Sequence, residues 1–199
     1  MTLLEEVSPE IRRESCTPVL ETERLVLRAP RFEDAKAIAR LANDRRIAEN
    51  TTRIPHPYRL ADAEAFIAAV NKSEGELAFL ITLDHEPIGG CGLAQLDGPE
   101  PDLGYWLGAP YWGNGYATEA ARAAIDYAFS MLDYEALQAG ARCTNPASRR
   151  VLEKCGFQWT GVGLYRIRAL ASSAPIDRFR LDRGIWASLK SWGAGRRVA

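Results

Sequence analysis

The sequence predicts a single domain of the α+β class, a mixed α/β fold on a central sheet. Segments with apolar residues at helical spacing alternate along the chain with short, strand-like apolar runs. Two of these runs follow each other across a short turn, which indicates an antiparallel hairpin rather than regular β-α-β alternation. At 199 residues, 47% of them hydrophobic, the chain is long enough for one sizeable core.

Composition and charge argue against several classes of partner. The 25 Lys and Arg residues nearly equal the 26 Asp and Glu residues, so the formal net charge is -1. No apolar stretch approaches the roughly 20 residues that span a bilayer, and the first residues lack the apolar segment of a signal peptide. We therefore expect a cytoplasmic protein that binds neither nucleic acid nor a membrane.

The cysteines and histidines form no metal-binding motif. The two histidines are far apart, and no Cys-x-x-Cys pair occurs. We expect no bound metal, and reduced structural cysteines at Cys16, Cys91, Cys143 and Cys155.

In the first half of the chain the patterns predict a strand, two helices and a loop. Residues 25–27 are β-prone, and residues 32–43 have apolar side chains at helical spacing behind an acidic first turn. Residues 51–60 contain two prolines and are predicted to form a loop. Residues 61–70 have apolar side chains on one helical face.

The second half predicts further strands and two helices. The helix at residues 117–132 has a face of small residues, which would pack closely on a sheet. The next helix has Asn145 as its N-cap, Pro146 at its first position and Gly156 after its end. Strands are predicted at residues 77–83, 88–96, 102–107, 136–142, 157–163 and 178–181. A turn at 84–87 separates the first two of these strands, and a loop at 165–177 separates the last two.

The segment at residues 105–120 joins a predicted strand to the strongest helix through Gly113 and Gly115. Free N–H groups at such a helix start, together with the helix dipole, form a site for phosphate or pyrophosphate. A dinucleotide fingerprint would need a third glycine where Thr118 stands. A nucleotide P-loop would need Lys where Asn114 stands. Both of these phosphate-binding motifs are therefore excluded.

A third pattern fits this loop, namely Gln/Arg-x-x-Gly-x-Gly/Ala, with Gly115 and Ala117 at the small positions and Trp112 at the first. Residues 18–25 (PVLETERL) and 145–157 (NPASRRVLEKCGF) supply two further segments. Together they resemble the GNAT superfamily of acyl-CoA N-acyltransferases, and especially its RimJ/RimL-like branch. The match spans residues 18–186, so we expect an arm at 1–17, one domain at 18–186 and a tail at 187–199.

The resemblance implies a GNAT fold, with a central splayed, mostly antiparallel sheet of six to seven strands flanked by about four helices. It implies acetyl-CoA as co-substrate, with pantetheine paired to a strand and pyrophosphate on the glycine loop. The implied cofactor-binding residues are Trp106, Leu107, Trp112, Gly113, Asn114, Gly115, Tyr116, Ala117, Thr118 and Asn145.

The resemblance also suggests catalytic residues. Asp102 lies just before Gly104-Tyr105-Trp106, where relatives often carry Glu, at the expected mouth of the splay. It is either the base or a solvated turn residue at the start of a strand. Many relatives have a proton-donating Tyr where this chain has Leu152. Ser148 is therefore the candidate acid, although Ser is also ordinary at the third helical position after an N-cap such as Asn145. Glu119 is expected on the exposed side of its helix.

These observations favour a bacterial N-acetyltransferase in which an amine attacks the thioester of acetyl-CoA directly in a ternary complex. The acceptor would be a peptide N-terminus or a small-molecule amine, and the chain a monomer or homodimer. We expect the loops at 50–60, with His56 and Tyr58, and at 165–177 to line the acceptor pocket. Two alternatives stay open: a catalytically degenerate acyl-CoA-binding protein, and an antibiotic-modifying acetyltransferase with an acidic acceptor cleft.

Overall fold

The computed structural model describes residues 17–72, 76–95 and 99–194. The strands are β1 (Leu20–Glu21), β2 (Val26–Arg28), β3 (Leu77–Leu83), β4 (Glu86–Ala94), β5 (Asp102–Leu107), β6 (Ala136–Arg142), β7 (Gln158–Ile167) and β8 (Ser172–Asp182). The α-helices are α1 (Ala35–Ala42), α2 (Arg45–Ala48), α3 (Leu60–Lys72), α4 (Tyr116–Met131), α5 (Pro146–Lys154) and α6 (Arg183–Ala194). Cys16 and nearly all of the expected N-terminal arm lie outside the described residues.

The strands form one sheet in the order β1-β2-β3-β4-β5-β6-β8-β7. Every neighbouring pair is antiparallel except β5 and β6. This confirms the mixed α/β fold and its mostly antiparallel sheet. The described residues contain eight strands and six α-helices, more than expected. The additional elements are β1 and α2, which are very short, and α6, most of which lies in the predicted tail.

Helices cover both faces of the sheet. Because side chains alternate along a strand, Phe79 and Ile81 of β3 belong to the larger core cluster beneath α4, whereas Leu80 packs with α1 and α3. The predicted small-residue face of α4 is confirmed, since it packs on β4 and β5 with fully buried Ala120, Ala121, Ala124 and Ala128. No helix in the described ranges is long and apolar enough to cross a membrane.

β5 and β6 run side by side for only a short distance. Their parallel pairing consists of Asp102 with Gln138 and Leu103 with Ala139. β5 then continues along β4 as far as Leu107, and β6 continues along β8 to its end. The two strands therefore separate beyond the second pair, and the sheet opens between them. This opening is the splay that the family resemblance implies.

The turn between β3 and β4 is tighter than predicted. β4 begins at Glu86, so only Asp84 and His85 connect the strands, with left-handed φ values of 49° and 70°. A two-residue turn with both residues at positive φ matches the twist of antiparallel strands.

The prediction of a loop at residues 165–177 is wrong, because most of this segment belongs to the hairpin of β7 and β8. A short 3-10 turn, Arg168–Leu170, and Ala171 at a φ of 50° connect the two strands. Ile167, Ala174 and Ile176 form a small apolar cluster that stabilises this end of the hairpin. The Ala-Ser-Ser-Ala-Pro composition of residues 171–175 gives no local strand signal, so pairing with β7 decides their conformation.

α6 continues through position 186, after which we expected a tail. Trp186 packs against Phe129 of α4, with ring centroids 5.2 Å apart, and donates from Nε1 to Asp126 Oδ1 at 2.6 Å. Lys190 Nζ lies 3.3 Å from the other oxygen of the same carboxylate. Residues beyond 186 therefore also contact the domain.

Because β4 and β5 pack closely at Gly89, a side chain at this position should destabilise the fold. A Cβ at Gly89 would lie 2.3 Å from the backbone oxygen of Trp106 and 2.9 Å from Leu107 Cα. We expect Gly89→Ala to lower the free energy of unfolding by about 1–3 kcal/mol, because backbone cannot move aside cheaply. Gly104→Ala is the matched control, since a Cβ there meets nothing within 4 Å. Urea unfolding compares the two, and equal stability would contradict the prediction.

Candidate active site

The loop between β5 and α4 places a helix start at the open end of the splay. After a 3-10 turn, Ala109–Tyr111, the two glycines Gly113 and Gly115 adopt left-handed φ values of 82° and 83°. Glycine takes this conformation at no steric cost. α4 begins at Tyr116, so the free N–H groups of its first turn and the positive end of its dipole lie beside the end of β5. This arrangement suits a phosphate or another anion.

Trp112, which departs from the family pattern, fixes the loop to the end of β5. Its indole Nε1 donates to the carbonyl oxygen of Leu107 at 2.7 Å. The guanidinium of Arg46, in α2, lies 5.1 Å from the centre of the indole ring. Asn114 Nδ2 donates to the carbonyl oxygens of Tyr111 and Trp112 within the loop. These contacts hold the loop in one shape.

The expected exposed position of Glu119 is wrong, because Glu119 joins α4 to the segment before β2. Its carboxylate accepts hydrogen bonds from Thr22 Oγ1 at 2.6 Å, Arg24 N at 2.9 Å and Arg24 Nε at 2.8 Å. Arg24 also donates from Nη1 to the carbonyl oxygen of Asn114 at 3.1 Å and lies over the ring of Tyr116. The N-terminal segment therefore braces the glycine loop from outside.

An open cavity of about 850 Å³ lies along α4, next to this brace. It is lined by residues 19–24, by Gly115, by residues of α4 between Thr118 and Ser130, and by Lys154 at the end of α5. Arg122 Nη2 donates to the carbonyl oxygen of Lys154 at 2.8 Å and joins the two helices. The cavity borders the glycine loop but does not lie between β5 and β6.

Asn145 and Ser148 lie at the start of α5, as predicted. Asn145 Oδ1 accepts a hydrogen bond from Ser148 N at 3.1 Å, which confirms the N-cap. Ser148 Oγ lies 2.9 Å from the hydroxyl of Tyr105 on β5, and the same hydroxyl donates to Ser148 O at 3.0 Å. Burial raises the pKa of Tyr105 well above its usual value, so the phenol stays neutral. These bonds cross the splay.

Asp102 lies at the closed end of the splay, and its expected position at the mouth is wrong. It is the first residue of β5 and pairs with Gln138 of β6. Its Oδ1 is 3.5 Å from Nη1 of Arg178 on β8. Arg178 also donates to Gln138 Oε1 and lies over the ring of Tyr165. The direction of the parallel pairing decides which end closes, and no local pattern reveals it.

The segment after α2 borders the open end of the splay. Arg142, the last residue of β6, donates from Nη1 to the carbonyl oxygen of Glu49 at 2.9 Å. Arg168, in the turn between β7 and β8, donates from its backbone N to the carbonyl oxygen of Thr52 at 3.1 Å. The two segments expected around the acceptor therefore meet, although the second is a hairpin tip rather than a loop.

Tyr58 is a core residue rather than an exposed pocket residue. It belongs to the cluster with α1 and α3, and its backbone N donates to Asn43 Oδ1 at 2.9 Å. Burial raises the pKa of Tyr58 to about 12. His56 is exposed, and Leu152 is fully buried in the larger core cluster.

The thiols of Cys91 and Cys155 are buried and unpaired by disulfides, and burial raises their pKa values to about 12 and about 11. Cys143 is a free, exposed cysteine. Within the described part of the chain, no group of three or more His, Cys, Asp or Glu side chains could hold a metal ion.

The brace at Glu119 predicts a pH-dependent contribution to stability. Burial alone would raise the pKa of Glu119, but the hydrogen bonds from Thr22 and Arg24 outweigh it and lower that pKa. The stabilisation is therefore complete above the unfolded-state pKa of about 4.3, and it is lost as the pH falls through the lower folded-state pKa. We expect Glu119→Gln to lower the free energy of unfolding at neutral pH by about 1–2 kcal/mol.

Glu153→Gln is the control for this variant, because Glu153 forms a solvent-exposed ion pair with Arg149. Urea unfolding from neutral to acid pH measures both variants. The loss of unfolding free energy in Glu119→Gln should shrink as the pH falls. A loss that stays constant with pH would contradict the stabilising role of the Glu119 carboxylate.

The sequence of the chain is similar to those of known acetyltransferases. Residues 24–158 match the family model described as Acetyltransferase (GNAT) domain. The chain is 30% identical over 150 residues to an uncharacterized N-acetyltransferase, p20, of Bacillus licheniformis, an alignment that covers 72% of this chain and 84% of that protein. It is 33% identical over 153 residues to an uncharacterized N-acetyltransferase, YoaA, of Bacillus subtilis strain 168, and this alignment covers 73% of this chain and 85% of that protein.

The fold is similar to that of RimJ from Mycobacterium smegmatis, a structure in complex with CoA-disulfide. The TM-score is 0.77 at 19% identity, and the superposition covers 90% of this chain and 96% of that one. With a family model that spans most of the domain and a splayed sheet of the expected topology, the chain belongs to the GNAT acetyltransferase family.

Proposed function

We propose that the chain transfers an acetyl group from acetyl-CoA to a primary amine, on a peptide N-terminus or a small molecule. The observation that carries the proposal is the separation of β5 from β6 beyond Leu103, beside the glycine loop that starts α4. An open strand edge offers backbone hydrogen bonds to the amides of pantetheine. The helix start offers N–H groups to the pyrophosphate. Backbone groups would therefore hold both parts of one CoA molecule.

Within this proposal the protein needs little covalent chemistry of its own, because a thioester is already activated. The amine nitrogen bonds to the carbonyl carbon, the C–S bond breaks, and sulfur keeps the electron pair. A backbone N–H near Trp106 or Leu107, where β5 no longer pairs with β6, would stabilise the oxyanion. Positioning of the amine against the carbonyl supplies the rest of the acceleration.

The overall reaction removes two protons from the attacking ammonium, one before attack and one as the amide forms, and places one proton on the leaving sulfur. We assign removal of the first proton to Asp102, which lies at the closed end of the splay and would act directly or through a water, and protonation of the sulfur to Ser148. The second proton of the nitrogen passes to solvent, from which Ser148 regains its own. An α-amino group has a reference pKa near 8 and a lysine one near 10.4, so a peptide N-terminus loses its proton more easily. This favours an α-amine as acceptor.

A binding protein without catalysis is the second candidate. It is favoured by Leu152, which is fully buried where many relatives carry the proton-donating Tyr. Ser148, hydrogen-bonded on the opposite side of the splay, supports the enzyme instead, because it supplies a hydroxyl near the separated strands.

The transfer reaction is tested by thiol release from acetyl-CoA with peptides, polyamines and aminoglycosides as acceptors. We expect acetylation of peptides at the α-amine, identified by mass spectrometry. Asp102→Asn and Ser148→Ala should each lower kcat by about a hundredfold, the low end for lost acid or base catalysis, with little change in KM for acetyl-CoA.

The matched controls for these two variants are Asp133→Asn and Ser188→Ala. Asp133 is an exposed partner of Arg183, and Ser188 donates to a carbonyl within α6. Binding of acetyl-CoA without acetylation of any acceptor would favour the binding protein. Wild-type kcat in both catalytic variants would contradict the roles of Asp102 and Ser148.

The glycine loop predicts a specific loss of cofactor affinity. A Cβ at Gly115, whose φ is 83°, costs about 1–2 kcal/mol in the left-handed conformation, and the loop relieves this strain by moving its N–H groups. We expect Gly115→Ala to raise the Kd of acetyl-CoA about tenfold by calorimetry. Gly161→Ala is the control, since Gly161 also has a positive φ, of 148°, but lies in β7. Equal affinities in the two variants would contradict the anion site.

A further inference from the structure

Tyr105 reaches across the splay, and no sequence pattern assigns it a role. It lies on β5 two residues beyond Leu103, the last residue of β5 that pairs with β6. Its hydroxyl is 2.9 Å from Ser148 Oγ and 3.0 Å from Ser148 O, at the start of the helix that follows β6. Tyr105 thus joins β5 to α5, at the serine to which we assign the proton transfer.

Asn145 and Tyr105 together hold all three polar groups of Ser148. The backbone N of Ser148 donates to Asn145 Oδ1, and its O and Oγ both lie within hydrogen-bond distance of the Tyr105 hydroxyl. A serine hydroxyl rotates freely unless neighbours hold it. The position of Ser148 Oγ therefore depends on Tyr105.

The proton count of the pair distinguishes two arrangements. The phenol carries a single proton, and so does the serine hydroxyl. When the phenol donates to Ser148 O, its proton is not available to Ser148 Oγ. The serine hydroxyl then donates to the Tyr105 oxygen, so the serine proton points at Tyr105. When the phenol donates to Ser148 Oγ, the serine proton is free to point elsewhere. A negative charge that develops on a nearby sulfur favours the second arrangement.

Tyr105 is suited to donate a hydrogen bond without losing its proton. Its side chain packs against the larger core cluster. Burial raises its pKa far above the ordinary value for tyrosine, so a phenolate is disfavoured at any working pH. Tyr105 can therefore orient Ser148 but does not itself supply the proton.

We propose that Tyr105 is a positioning residue for acetyl transfer: its hydroxyl donates to Ser148 Oγ and directs the serine proton toward the sulfur of CoA. The inference rests on the proposed function, since it needs CoA in the splay. Tyr105 keeps its own proton throughout, and the proton that reaches sulfur comes from Ser148 and is replaced from solvent.

The bound thiol of CoA provides a readout that needs no acceptor. A hydrogen bond donated to a thiolate favours the charged form and lowers the pKa of the thiol. This pKa is measured on the protein with CoA bound, from the ultraviolet absorbance of the thiolate as a function of pH. We expect Ser148→Ala and Tyr105→Phe both to raise it, and Tyr105→Phe in the Ser148→Ala background to raise it no further.

The same variants are compared in the transfer reaction. Tyr105→Phe removes one oxygen atom and should lower kcat about fivefold to tenfold, the range for one lost hydrogen bond, with KM for acetyl-CoA and thermal stability little changed. In the Ser148→Ala background the second substitution should have no effect on kcat. Tyr134→Phe is the control, because Tyr134 is also partly buried against the core and has no part in the proposed machinery.

The outcomes separate the two proposals. If the chain does not bind CoA, the proposed function is wrong, and so is the role of Tyr105. If the chain binds CoA but the pKa of the bound thiol is the same in wild type and Tyr105→Phe, only the role of Tyr105 is wrong. Effects of the two substitutions that multiply in the double variant also overturn it, because Tyr105 would then act independently of Ser148.

Discussion

The separation of β5 and β6 after two residue pairs is the constraint on which the rest of the structure depends. Arg178 holds the closed end, through Asp102 and Gln138. Beyond it, the backbone of residues 104–107 has β4 on one side and no described strand on the other. An unpaired strand edge presents N–H and C=O groups that can bond to an extended partner, so this edge is suited to bind an extended ligand. Because β5 and β6 are parallel, the helices after them both start at the open end.

Contacts between segments far apart in the chain give the open end its rigid shape. Glu119 joins the glycine loop to residues 22–24, and Trp112 joins the same loop to the end of β5 and to α2. Tyr105 joins β5 to the start of α5. A site held this way has its N–H groups and hydroxyl oriented before a ligand binds, which reduces the entropy lost on binding.

Local chemistry explains why part of this site could be predicted from the sequence. The glycines before α4 and the N-cap Asn145 determine the conformation of residues adjacent to them in the sequence. The face of small residues on α4 follows from helical spacing alone. The partners of Glu119 lie 97 and 95 residues away, and those of Tyr105 lie 43 residues away, so no local pattern reveals them. β8 depends in the same way on its pairing with β7.

Hydrogen–deuterium exchange with and without CoA tests most directly whether the cofactor occupies the splay and the start of α4. We expect CoA to slow exchange at the amides of residues 104–107 and 113–118, which lie at the open edge of β5 and in the glycine loop. Exchange in β2 and β3 should stay unchanged. Protection confined to the cavity between residues 19–24 and α4, with none at residues 104–107, would contradict this placement.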